Sequence, residues 1–143
     1  MNQRIFELWG KTTNDERYHP AVYHMLDVAY ASQVLISNGG SARVRSVLED
    51  TWQGANIEAL VAWIPFLVAL HDIGKISAPF QGQASNANAK RQLDRLIAQG
   101  FVFPTIKPTK ARLPHSSISA LFIRDHLGKL ESGIASDFKR IMV

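Results

Sequence analysis

A chain of 143 residues with 16 Lys/Arg against 12 Asp/Glu, a net charge of +4, and 46% hydrophobic residues has the size and composition of one domain with one core. Its longest apolar run, Leu60 to Leu70, has 11 residues and contains Pro65, against about 20 for a membrane-crossing helix, and its start lacks a basic segment followed by an apolar one. With no cysteine there is no disulfide framework and no thiolate metal site, so a soluble, cytoplasmic protein with no membrane partner is expected.

Strand-like alternation is scarce and no repeat is present, so the chain reads as a series of helices. Pro20 suits the first position of a helix that runs through AVYHMLDVAYASQVLIS to a stop at Gly39 and Gly40. Ser41 is placed to cap a second helix, ARVRSVLEDTW, and Asn56 a third that passes through Pro65, with a kink there, to His71. Gly74 and Pro79 end that helix, and PFQGQASN reads as a polar loop. A fourth helix is expected from about Ala87 to Gln99, stopping at Gly100. Residues 101 to 114, with three prolines, are expected to be irregular. A fifth helix runs from about His115 to Gly128, and a sixth from about Ser132 to Val143.

Charge divides unevenly along the chain. Residues 1 to 70 hold 5 Lys/Arg and 7 Asp/Glu, whereas residues 71 to 143 hold 11 and 5. The basic half suits a polyanion such as nucleic acid, whose counterions Lys and Arg displace; a merely solvated cationic surface fits the same numbers. The Pro-containing loop before His115 carries Lys107, Lys110 and Arg112, candidate DNA guides that would otherwise be a solvated loop.

Candidate chemistry concentrates in two places. His24 and Asp27 share one face of the first helix with Val28, Ala31 and Leu35, where His24 is a metal ligand or a hydrogen-bonded core histidine, and Asp27 an orienting group or a capping partner. In LVALHDIGK an apolar helix ends in His71 and Asp72, an imidazole and a carboxylate that at a distorted helix end can turn toward one ion. The same pair could instead complement the helix dipole and organise the following loop. Gly74 permits the distortion, and Lys75 sets an ammonium where it could hold a phosphate or stabilise developing charge. Trp9, Trp52 and Trp63 read as packing, and His19 as the entrance to the first helix.

YHMLDVA followed by ALHDIGK resembles the HD metal-dependent phosphohydrolase superfamily. In order, LWGKTT, YHPAVYHMLDVA, FLVALHDIGKISAPFQ and RLPHSSISA are similar to the N-terminal HD nuclease domain of the CRISPR-associated helicase-nuclease of type I systems. HDIGK is shared by many HD hydrolases; FQ after it and WGK near the start make the match specific. The resemblance implies an all-α, HD-type bundle of about six helices that cleaves single-stranded DNA by metal-dependent hydrolysis in antiviral defence. It implies His24, His71 and Asp72 as ligands of one metal, with Asp72 bridging to a second held by His115. Asp72 and Lys75 are then the catalytic pair. It also implies one or two divalent transition ions, Mn, Ni, Fe, Co or Zn rather than Mg, a helicase module fused or separate, and a crRNA-guided surveillance complex that delivers the DNA.

Two features of the family pattern are missing. A His-His pair for the second metal and a further Asp for the first are absent, since no His follows His126 and no Asp follows Asp137; His126 itself reads as a surface histidine. The chain is therefore expected to be the N-terminal portion of the domain, ending before the last ligand motifs. Alternative expectations are an HD phosphohydrolase acting on nucleotides, and a catalytically weak fragment that keeps the fold.

Overall fold

Six α-helices and one short hairpin make up the computed structural model, which describes residues 3–13, 17–37, 39–53, 56–83, 86–103 and 114–127. A 3₁₀ turn, Gln3–Glu7, leads into β1, Trp9–Thr12, which pairs antiparallel with β2, Tyr18–Pro20. The helices are α1 (Ala21–Ile36), α2 (Ala42–Thr51), α3 (Ile57–Leu70), α4 (Ala78–Gln81), α5 (Ala87–Ala98) and α6 (His115–Leu127), with a second 3₁₀ turn, Ile73–Ile76, between α3 and α4. The expected sixth helix beyond Ser132, and the basic loop with Lys107, Lys110 and Arg112, lie outside the described residues.

The caps follow the local chemistry. The Ser41 hydroxyl accepts from the Val44 amide at 3.3 Å, Asn56 Oδ1 from Ala59 at 3.1 Å, and Asn86 Oδ1 from Ala89 at 2.8 Å. Two local expectations are corrected. Pro20 is the last residue of β2 rather than the first of the helix, because the Ala21 amide behind it bonds the Leu8 carbonyl at 2.8 Å and ties the helix start to the hairpin. PFQGQASN is not a polar loop at its start. Ser77 caps the single turn of α4, whose Pro79 lacks only an amide that would be unsatisfied there, and Gln81 is fully buried.

The hairpin carries no periodic signal in the sequence, since two strands of three or four residues, one with a glycine and one ending in proline, show no alternation. Its loop is held from outside: Asn88 Nδ2, on α5, donates to the carbonyls of Thr13 at 2.6 Å and Arg17 at 3.1 Å. The buried core lies beside it, where Leu8 and Trp9 meet Ala89 and Leu96 of α5, with Tyr18, Ile76, Phe80, Phe101 and Phe103 packed around them.

On the other side α1 packs chiefly on α3. The inward positions of α1 are Val22, Met25, Ala29, Ser32 and Ile36, one helical row away from the expected stripe; His24 and Val28 are half-buried on its flank, while Asp27, Ala31 and Leu35 are exposed. α3 and the turn after it, Ile57–Ile76, are long and apolar enough by composition to cross a membrane. The continuous helix is only 14 residues, however, roughly 21 Å against a hydrocarbon core of about 30 Å, and the stretch ends in ionisable groups buried within the fold.

Asn88→Ala is expected to remove the α5 donor from the Thr13 and Arg17 carbonyls and to lower stability by about 1–3 kcal/mol in urea unfolding, with faster exchange of the Thr13 amide, which bonds the Arg17 carbonyl. A change below about 0.5 kcal/mol would show that α5 does not hold the hairpin.

Candidate metal centre

Three elements converge on one carboxylate. α3 ends at Leu70 and the chain tightens into the 3₁₀ turn, so Asp72 leaves the helix axis and points inward with 1% of its side chain exposed. The first wall is α1, from which His24 Nε2 stands 3.1 Å from Asp72 Oδ2. His71 Nε2 lies 3.3 Å from the same oxygen, and Lys75 Nζ donates to it at 3.0 Å. From α6, His115 Nε2 stands 3.1 Å from the other oxygen, Oδ1. The carboxylate is thus the floor of the site, and the imidazoles, 25–53% exposed, form its rim.

Two glycines make the convergence sterically possible. A Cβ on Gly10 would come within 2.8 Å of the Ala21 Cα and 3.3 Å of the His24 Cβ, so the glycine of WGK lets β1 lie against the start of α1. A Cβ on Gly74 would collide with the His115 carbonyl and come within 2.9 Å of both the Ser119 amide and its hydroxyl. Here the turn and α6 are also bonded: the Gly74 amide donates to Ser119 Oγ at 2.9 Å, and that hydroxyl donates to the His115 carbonyl at 2.9 Å. Phe80 then stands edge-on to the His115 ring, centroids 5.7 Å apart, and packs its other side on Trp9 at 4.8 Å.

The electrostatics favour a cation at this place. Asp72 Oδ1 is buried and receives no hydrogen bond, because the His115 ring approaches it outside hydrogen-bonding geometry. His71 Nδ1 is hydrogen-bonded to the Val68 carbonyl, so a neutral ring presents an unprotonated Nε2 to the carboxylate. Acceptor facing acceptor is stable only when a positive charge, a proton or a metal ion, lies beside both. Burial is the main cause that pushes His24 below its ordinary pKa of 6.5, with the charge of Lys75 next and Asp72 opposing; a neutral imidazole is the form that can ligate. Among the described residues no group of three or more His, Cys, Asp or Glu side chains surrounds a common point as a cage does. The nitrogens close on the Asp72 oxygens themselves, yet imidazole with carboxylate is a donor set that suits a divalent transition ion.

Each expected site residue within the described part is accounted for. His24, His71, Asp72, Lys75 and His115 meet, but Lys75 is buried on Asp72 rather than standing on the surface. Asp27 turns away from His24 and bonds His19 Nε2 at 2.8 Å. His126 is exposed, stacked on Phe122 and bonded to its carbonyl at 3.1 Å, as read. Phe80 enters the sequence reading only within the FQ motif, with no role, and Ser119 not as a site residue; a serine one turn after His115 is the one signal that could have marked it.

A helical domain whose helix-ending His-Asp pair is met by histidines from an earlier and a later helix is of the HD type. A family profile described as "Cas3, HD domain" matches residues 9–142, and the chain belongs to that family. It is 39% identical over 124 residues to the "CRISPR-associated endonuclease/helicase Cas3" of Thermus thermophilus, a match that covers 87% of this chain and 12% of that protein. No solved structure matches the chain.

Ser119→Ala is expected to strand the Gly74 amide and cost about 1–3 kcal/mol of stability, and Gly74→Ala, which forces α6 off the turn, about 2–3 kcal/mol or more, both read by urea unfolding. The His24 imidazole is expected to titrate below 6.5 in an NMR pH series of the metal-free protein. Because its folded value is lowered, stability present above 6.5 is lost as the pH falls through that lowered value. A midpoint above 6.5 would reverse the sign.

Proposed function

We propose that this chain is a metal-dependent nuclease domain that acts on single-stranded DNA in type I CRISPR interference. The observation that carries the reading is the buried Asp72 carboxylate, rimmed by His24, His71 and His115, with Oδ1 lacking a donor. Family membership and the name of the Thermus relative, an endonuclease/helicase, support it. The chain spans 12% of that relative's length, so the helicase module, the crRNA-guided complex and the DNA substrate are part of the proposal.

His24, His71 and Asp72 would hold one divalent ion, and Asp72 with His115 a second; Mn, Ni, Fe, Co and Zn suit these donors. When bound, such ions supply a water of lowered pKa and positive charge against phosphate oxygens. The chain's own residues prepare the place. The Val68 carbonyl sets the His71 ring with Nε2 inward. Lys75 neutralises Asp72 from below and is the ammonium nearest the site where a phosphodiester would lie. Lys107, Lys110 and Arg112 precede His115 in the chain and would guide the strand by charge. With no His-His pair in the 143 residues, we also propose that the remaining ligands come from outside them.

A nucleotide phosphohydrolase would need an enclosed base pocket. The concavity beside His71 is lined by Ile64, Leu67 and Val68, all on α3, and so has one wall among the described residues. That shape suits an extended strand better than a single base.

Calorimetry with Mn²⁺ and Ni²⁺ is expected to show weak uptake of no more than one ion by this chain, lost in His71→Ala and Asp72→Asn. Asp72→Asn is the safer probe, since Asp72→Ala would leave the buried ammonium unpaired at a cost of about 3–5 kcal/mol. In a protein that supplies the proposed remaining ligands, the same two substitutions should abolish cleavage of circular single-stranded DNA, while Lys75→Ala lowers turnover more than metal affinity. Undiminished cleavage by folded Asp72→Asn overturns the assignment, faster turnover of a nucleotide panel than of DNA favours the rival enzyme, and two tight sites in this chain alone refute the external ligands.

A further inference from the structure

Gln81 is the one long polar side chain among the described residues with no exposed surface at all, and it lies among apolar groups, next to Phe80 and against Trp9. A buried amide costs stability unless its donors and acceptor are used. Here all are used. Its Nε2 donates to the Trp9 carbonyl at 2.7 Å and to the Lys75 carbonyl at 2.7 Å, and its Oε1 accepts from the Trp9 amide at 3.2 Å.

The strand geometry explains why Trp9 takes a side chain as partner. The Ala21 amide bonds the Leu8 carbonyl, so Trp9, next along β1 and opposite Pro20, turns its own N–H and C=O away from β2, toward an edge with no third strand among the described residues. The Gln81 amide occupies that edge as a peptide group would, and its second N–H reaches on to Lys75. The turn Ile73–Ile76 is thereby gripped from two sides, by Ser119 through the Gly74 amide and by Gln81 through the Lys75 carbonyl.

We propose that Gln81 is a positioning residue for the site: by bonding Trp9 and Lys75 together it fixes the height of the turn carrying Asp72 and Lys75 relative to the hairpin and α1, and so where the carboxylate meets His24 and His115. This deepens the metal reading above and rests on it for its consequence. It also gives the paired WGK and FQ motifs a physical link, since the backbone of the first is held by the side chain of the second.

The test uses metal-free protein and the near-isosteric Gln81→Met, which keeps the packing and removes the three hydrogen bonds. Site-resolved hydrogen exchange is expected to show the Gly74, Lys75 and Ser77 amides exchanging at least tenfold faster. Amides of α1 such as Val28 should stay within twofold, and the imidazole ¹⁵N signals of His24 and His115 should shift. Gln92→Ala, which alters another buried glutamine in the same region, is expected to leave both readouts in place. Turn amides within twofold of wild type in folded Gln81→Met, or equal acceleration in Gln92→Ala, overturns the proposal. Should Gln81→Met not fold, wild-type protein decides: the Trp9 amide should exchange as slowly as helix-interior amides, and exchange at the rate of an open strand edge rejects the clamp. A failed Mn²⁺ titration would refute the metal reading and leave these exchange rates untouched.

Discussion

A carboxylate taken almost wholly out of water must be met by positive charge or hydrogen bonds, and the structure around Asp72 is organised by that requirement. One ammonium, three imidazoles and the ends of three helices converge on two oxygen atoms, yet one oxygen remains without a donor. A site built only for stability would have closed that valence, since an unmet buried acceptor costs about 1–3 kcal/mol. The residual demand for a cation is what makes the place chemically useful.

The backbone is arranged to bring those groups within 3.0–3.3 Å of the carboxylate. Gly10 lets the hairpin lie on the start of α1, and Gly74 lets α6 lie on the turn, so neither contact needs a side chain to yield. Polar side chains then fix what the glycines allow: Ser119 ties α6 to the turn, Gln81 ties the turn to β1, and Asn88 ties α5 to the hairpin. The short elements with no repeating pattern carry more of the site's geometry than the long helices do.

Charge is redistributed by folding in the same way. The second half of the chain is strongly basic, but Lys75 is engaged by Asp72, Arg95 is paired with Glu7 and stacked on Tyr18, and Arg124 is paired with Asp125. Meanwhile α1 shows water Tyr23, Leu26, Tyr30 and Val34 along one row. Of these ion pairs only Arg95–Glu7 sets a cation of the basic half against an anion of the acidic half, so folding partly offsets the charge imbalance that the sequence shows, while the other two pairs are local.

What the sequence determined by itself is whatever local chemistry decides. Helix starts at Ser41, Asn56 and Asn86 depend on side chains three residues from their amides, and the tight turn after His71 on a glycine next to an apolar helix end; these were legible. His24, His71, Asp72 and His115 could be named through motif order, and the tertiary structure then brought them together. The hairpin, the buried single turn of α4, and the roles of Gln81 and Ser119 were decided only by tertiary contacts, because each depends on a partner 45 to 75 residues away. Lys75 shows the boundary between the two. Its type and place were readable, but its burial on Asp72 follows from the packing of α1 and α6 over the turn, which no local pattern encodes.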